Sequence, residues 1–131
     1  MPLFYLFKCL LNQKEFYNIH KGDDSMELFQ LLKVLGDSTR FRIVTLLLER
    51  KHCVRSLART LNISEPAVSQ HLKVMKEANL VYCEKFGYHT HYFICQETID
   101  YLVQQFSLMQ IQSLNLDRNT QNCQCEFKKE K

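Results

Sequence analysis

Two helical segments joined by only three residues, Asn62-Ile63-Ser64, constrain this chain more than any other feature. Residues 54–61 carry Leu57, Ala58 and Leu61 at the spacing of a short helix with one inward face. Ser64 is a favoured N-cap residue, and Glu65 and Pro66 follow in the first turn, where the N–H that proline lacks has no intrahelical partner in any case. A second helix with a sharp start is therefore expected. On it Val68, Leu72 and Met75 share one face and Leu80 follows, so Pro66, Gln70, Lys73 and Glu77 point the opposite way, with Ser69 and His71 flanking that stripe.

The flanking segments complete the pattern. Leu28, Leu31, Leu32 and Leu35 repeat as a helix with one buried face, stopped by Gly36. Asp37-Ser38-Thr39 offers capping oxygens to a further helix whose Phe41, Ile43, Val44, Leu46, Leu47 and Leu48 are apolar on several sides, which places it centrally. From Val81 to Cys95 the period changes to that of β-structure, broken at Phe86-Gly87-Tyr88-His89, which reads as a two-stranded hairpin with its tip near Gly87. Ile99, Leu102, Val103, Phe106 and Met109 then restore a helical stripe. The expectation is a mainly α fold with a β-hairpin wing: a winged helix-turn-helix of five helices and two strands.

At 131 residues the chain has the length of one ordinary domain, and 46% hydrophobic residues with three Gly and two Pro fit a compact helical protein. Residues 26–115 are assigned to the winged domain and 116–131 to a flexible tail containing cysteines. Residues 1–25 form an N-terminal extension. Its apolar run Leu3-Phe4-Tyr5-Leu6-Phe7 is broken by Lys8, lacks a small-residue cleavage site and falls short of the roughly 20 apolar residues of a membrane span, so neither export nor membrane insertion is expected. One hypothesis sets these 25 residues outside the natural protein, because Met26 opens the first well-formed amphipathic segment and Lys21-Gly22-Asp23 can be encoded by a ribosome-binding sequence. Six irregularly spaced cysteines, at 9, 53, 83, 95, 123 and 125, point to free thiols, a metal site or a redox switch rather than a secreted disulfide framework, and so to the cytoplasm.

A short helix bracing a second one whose outer side is small and polar suits insertion into a major groove. Gln70 can bond adenine N6 and N7, Ser69 can reach base edges or phosphate, and Pro66 and Ala67 can meet thymine methyls. Lys73 and Lys76 lie further along and suit phosphates. The formal charge of +3 permits this without demanding it. The plain alternative is that these are solvated faces: His71 reads either as a partly buried helix residue or as a base reader, and basic groups on the hairpin read equally as ordinary surface.

The runs Leu35-Gly36-Asp37-Ser38-Thr39-Arg40-Phe41-Arg42-Ile43 and Ser64-Glu65-Pro66-Ala67-Val68-Ser69-Gln70-His71-Leu72-Lys73 resemble the ArsR/SmtB family of bacterial repressors, over about residues 26–110. The resemblance implies a homodimer built chiefly from the first and last helices, seated on double-stranded operator DNA and released by a metal, metalloid or other signal. It places Ser64, Ala67, Ser69, Gln70 and His71 on the DNA-reading helix and Lys85, Tyr88 and Thr90 on the wing.

It also implies two kinds of sensor site, and this chain departs from both. Where the family carries Cys-Val-Cys-Asp-Leu, the residues are Cys53-Val54-Arg55-Ser56-Leu57, and arginine offers no lone pair to a metal. The zinc site of the last helix is matched at Asp100 but meets Leu102 next, and no histidine follows His91. What remains is Cys53 with Cys123 and Cys125, joined by Cys9 or His52, a thiolate set suited to arsenite, cadmium or lead. Thiol oxidation of the same cysteines is the competing signal. Cys83 and Cys95 read as packing residues within the two strands.

A rival of another class is a winged-helix interaction module without DNA recognition, since fold does not fix function. No phosphate loop, paired carboxylates or nucleophile with a placed base supports an enzyme.

Overall fold

A computed structural model describes residues 24–116. In chain order these form α1 (Asp24–Leu35), α2 (Ser38–Glu49), α3 (Val54–Leu61), α4 (Glu65–Glu77), β1 (Val81–Phe86), β2 (His89–Ile94) and α5 (Gln96–Asn115). The architecture is the winged helix-turn-helix expected from the sequence. α1 begins two residues before Met26, so it runs across the expected boundary of the N-terminal extension. Cys9, Cys123 and Cys125 lie outside the described residues.

Each helix boundary has a local cause. The Gly36 N–H donates to the Leu32 carbonyl at 2.8 Å, and a Cβ on Gly36 would stand 3.1 Å from that oxygen, a close approach that favours glycine. Asp37 caps α2 by accepting from the Arg40 N–H at 2.9 Å. α3 and α4 end alike. Asn62 and Asn79 adopt the left-handed region at φ 56° and 55°. The next residues, Ile63 and Leu80, turn their N–H groups back to Ala58 and Met75. This is the Schellman closure, made here with asparagine in place of glycine. Ser64 accepts from the Ala67 N–H at 3.2 Å and opens α4.

α2 is central, in contact with α1, α3, α4 and β2. Its Ile43, Val44 and Leu47 join Leu57, Leu61, Val68, Leu72, Met75, Leu80 and Val81 in one core. Full burial of side chains such as Ile43 and Leu57 stabilises by about 1.5–3 kcal/mol each relative to exposure. Phe41 and Leu48, on other sides of α2, stay exposed. A second cluster of Leu28, Leu31 and Leu102 joins α1 to the start of α5.

The hairpin pairs Val81 with Ile94 through Phe86 with His89, around a loop whose Gly87 takes φ +63°. Val81, Tyr92 and Ile94 face the core. Tyr82, Phe86 and Phe93 gather on the other face, with Tyr82 and Phe93 stacked at 5.4 Å. The Tyr92 N–H donates to the His52 carbonyl at 2.9 Å and the Cys95 N–H to the Leu80 carbonyl at 3.0 Å, which pins the hairpin to the α2–α3 connection and to the end of α4. Cys83 lies within β1 as expected, but Cys95 does not lie in a strand: it follows β2 as the N-cap residue of α5, because β2 ends at Ile94.

Candidate nucleic-acid interface

α4 is 13 residues long, about 20 Å at 1.5 Å per residue, and only one side of it enters the core. On the other side Ser64, Pro66, Ser69, Gln70, Lys73 and Lys76 are exposed, and Ala67 is half-buried between the two sides. None of these exposed side chains is larger than a lysine, so the surface between turn and wing is low and polar. Arg55 at the start of α3 pairs with Glu65 in the first turn of α4 at 3.5 Å, which bridges the two helices across their connection.

The wing flanks this face. Lys85 is exposed, Tyr88 at the loop is fully exposed and Thr90, opposite Lys85 in the ladder, is half-buried. Lys76 does not extend freely: its Nζ donates to Cys83 Sγ at 3.5 Å, so the lysine is laid against β1.

His71 lies differently from its neighbours. It is half-buried, and its Nδ1 lies 3.9 Å from Asp37 Oδ1. The Arg40 N–H, followed by the Arg40 guanidinium and His71, holds the Asp37 carboxyl below the usual carboxylate range against the opposing effect of its partial burial. Arg40 in turn donates through Nε to the Val34 carbonyl at 2.6 Å and through its guanidinium to the Lys33 carbonyl at 3.3 Å. From the sequence Asp37 reads as a cap, and His71 either as a partly buried helix residue or as a base reader. Their proximity depends on how α2 and α4 pack, which local spacing does not encode.

Of the thiolate candidates, Cys53 is half-buried at the N-cap of α3, where its side chain makes no capping bond. Arg55, which stands where a second thiolate would be required, is directed at Glu65. His52 is buried: its Nδ1 shares a 2.7 Å hydrogen bond with Ser56 Oγ, and its Nε2 has no partner among the described residues. Burial, with Arg50 nearby, pushes its pKa below the usual histidine value, opposed by Glu49. Among the described residues no three His, Cys, Asp or Glu side chains converge in a way that holds a metal, so Cys53 does not make a complete ligand set with them.

No described helix is long and apolar enough to cross a membrane. Apolar exposure is concentrated instead on α5, at Val103, Phe106, Met109, Ile111 and Leu114, with Phe29 and Leu32 on α1.

A family model described as bacterial regulatory protein, arsR family, matches residues 37–82, from the cap of α2 into β1. The chain is 30% identical over 100 residues to an arsenical resistance operon repressor of Staphylococcus xylosus, covering 76% of this chain and 89% of that one. It is 35% identical over 74 residues to the transcriptional repressor SmtB of Mycobacterium tuberculosis, covering 56% of this chain and 55% of the relative, so in that match it spans about half of the relative's length. In fold it is similar to the homodimeric winged helix-turn-helix DNA-binding domain of a Mycobacterium bovis protein, at TM-score 0.57 and 22% identity, covering 72% of this chain and 84% of that one. The Staphylococcus and Mycobacterium tuberculosis relatives are both named as repressors. On the match over most of the Staphylococcus repressor, and on the fold that carries it, this chain belongs to the ArsR family of bacterial regulatory proteins.

Proposed function

We propose that this protein is a dimeric cytoplasmic repressor that binds double-stranded operator DNA with α4 in the major groove and the hairpin beside it. The carrying observation is the uncovered polar side of α4, held between the asparagine-closed turn and the wing. Ser69 and Gln70 are the base-reading groups, Pro66 and Ala67 the contacts to thymine methyls, and Ser64, Lys73 and Lys76 the phosphate contacts. Lys85, Tyr88 and Thr90 serve the wing, and His71 stands at the inner border of the reading face. The exposed apolar rows of α5 and α1 suit burial against a second copy, in line with the homodimeric form of the Mycobacterium bovis domain.

Release from DNA is assigned to a soft ion, arsenite, cadmium or lead, held by Cys53 together with Cys123 and Cys125. Two points support this: Cys53 keeps its thiol out of capping bonds at the start of α3, and relatives of this chain include arsenical resistance repressors.

The test is a gel-shift titration of reduced protein on duplex DNA from immediately upstream of its own coding sequence, against an unrelated duplex of equal length. Preference for the upstream duplex, declining steeply with salt as counterions are released, is the expected result. Equal affinity for both duplexes would instead favour an interaction module that has lost DNA recognition.

A further inference from the structure

Asp37 and Arg40 at the start of α2 and the sequence-remote His71 on α4 form one polar path. It begins at the C-terminal end of α1, where the Val34 and Lys33 carbonyls, left without an intrahelical donor, accept from Arg40. It continues through Asp37, whose Oδ1 accepts the Arg40 N–H at 2.9 Å and whose Oδ2 lies 3.9 Å from the Arg40 guanidinium. It ends at His71 on α4, 3.9 Å from Asp37 Oδ1. The path therefore joins α1, which packs with α5 in the second core cluster, to the helix whose opposite side is open to DNA.

We infer that Asp37 and His71 are positioning residues for DNA binding: the imidazole does not read a base but anchors the inner border of α4 to the cap of α2, while Arg40 fixes that cap to α1. This rests on the DNA-binding reading of α4. Three features favour an anchoring role over a reading one. His71 is half-buried where Ser69 and Gln70 are exposed. Its Nδ1 stands 3.9 Å from a carboxylate on the protein. Finally, the carboxylate is fixed independently, by the cap bond and by Arg40, so it offers the helix a rigid reference point. An anchor of this kind orients the reading helix relative to α1 without touching DNA. Lost orientation weakens every site alike, whereas a lost base contact changes preference at one base pair.

The experiment uses the full-length protein on the upstream duplex and a panel of its single-base-pair variants, comparing the parent with Asp37→Asn, His71→Gln and the double variant. Asparagine keeps the capping oxygen and removes the charge, so the thermal midpoint should hardly move. Each single change should weaken binding to every duplex about three- to ten-fold with the ranking of base-pair variants unchanged, and the double variant should be no weaker than the weaker single one, as coupled residues require. Additive losses, or a preference changed at one base pair by His71→Gln, would overturn the inference. A parent that binds the upstream and unrelated duplexes equally would overturn the DNA-binding reading beneath it, which the parent lane alone decides.

Discussion

Thr98 donates through its Oγ1 to the Asn79 carbonyl at 2.6 Å, and this bond ties the first turn of α5 to the residue that closes α4. Thr98 is fully buried, and Asn79 is held in the left-handed region by the closure of the reading helix. The helix proposed to carry the dimer contact and the helix proposed to carry the DNA contact are thus joined by this hydrogen bond, by that of the Cys95 N–H to the Leu80 carbonyl, and through the core. Thr98→Val keeps the shape but leaves the Asn79 carbonyl without this donor, so a loss of about 1–3 kcal/mol in unfolding free energy is expected, read from urea denaturation at neutral pH. A stability equal to the parent's would show that the bond contributes nothing net.

The exposed row of α5 supplies a second expectation. Phe106 is 49% exposed in the single chain, between Val103 and Met109 on the same stripe. Placing a carboxylate there by Phe106→Glu would force a charge into the contact between copies, and sedimentation equilibrium should show the dimer weakened by about tenfold or more. The core below is untouched, so the melting of the isolated fold should persist. A dimer as tight as the parent's would place the contact elsewhere.

Much of this arrangement is legible in the sequence, and the exceptions have physical reasons. The bounds of α3, the Ser64 cap and the hairpin tip at Gly87 follow from residues whose preferences are local. The inward set Val68, Leu72, Met75 and Leu80 follows from spacing alone. The end of α4 is harder to read because asparagine replaces the glycine that usually marks such a stop. Leu32 and Val103 match the period of buried stripes yet are exposed in the single chain, since periodicity reports an apolar face without saying what covers it. The Asp37–His71 approach and the burial of His52 are set by packing between elements, so no spacing rule announces them.

His52 gives the fold an expected acid sensitivity. Its pKa lies below the usual histidine value of 6.5, chiefly because burial disfavours the imidazolium. The unfolded chain therefore binds this proton more readily than the folded one. Stability from this site is full above the ordinary histidine range and is lost as pH falls through 6.5 toward the lowered folded value. Denaturation midpoints at pH 7.5 and 5.5 should differ less in His52→Leu than in the parent. An unchanged difference would mean that the imidazole accepts its proton without penalty.

The side chains of α4 should separate by kind of contact. Gln70→Ala is expected to relax discrimination at one base pair by about 1–3 kcal/mol, because it removes a bidentate contact. Lys73→Ala should weaken binding to every duplex alike and lower the slope of log affinity against log salt by about 1. Competition gel shifts across a salt series measure both. If Gln70→Ala behaves like Lys73→Ala, the base-reading role moves to another residue on the exposed side.

The inducer assignment turns on whether Cys53 acts with the tail. A soft ion needs three thiolates for a closed shell, and Arg55 removes the neighbouring ligand that would let the start of α3 suffice by itself. The triple variant Cys53→Ala, Cys123→Ala, Cys125→Ala should therefore bind the upstream duplex as the parent does and ignore arsenite, cadmium and lead, while the parent is released by at least one of them under reducing conditions. Release of the parent by a hydroperoxide but by no ion would transfer the signal to thiol oxidation. Release of parent and triple variant alike would remove these three cysteines from the sensor altogether, leaving the DNA-binding reading of α4 intact because none of the three is a residue of that helix.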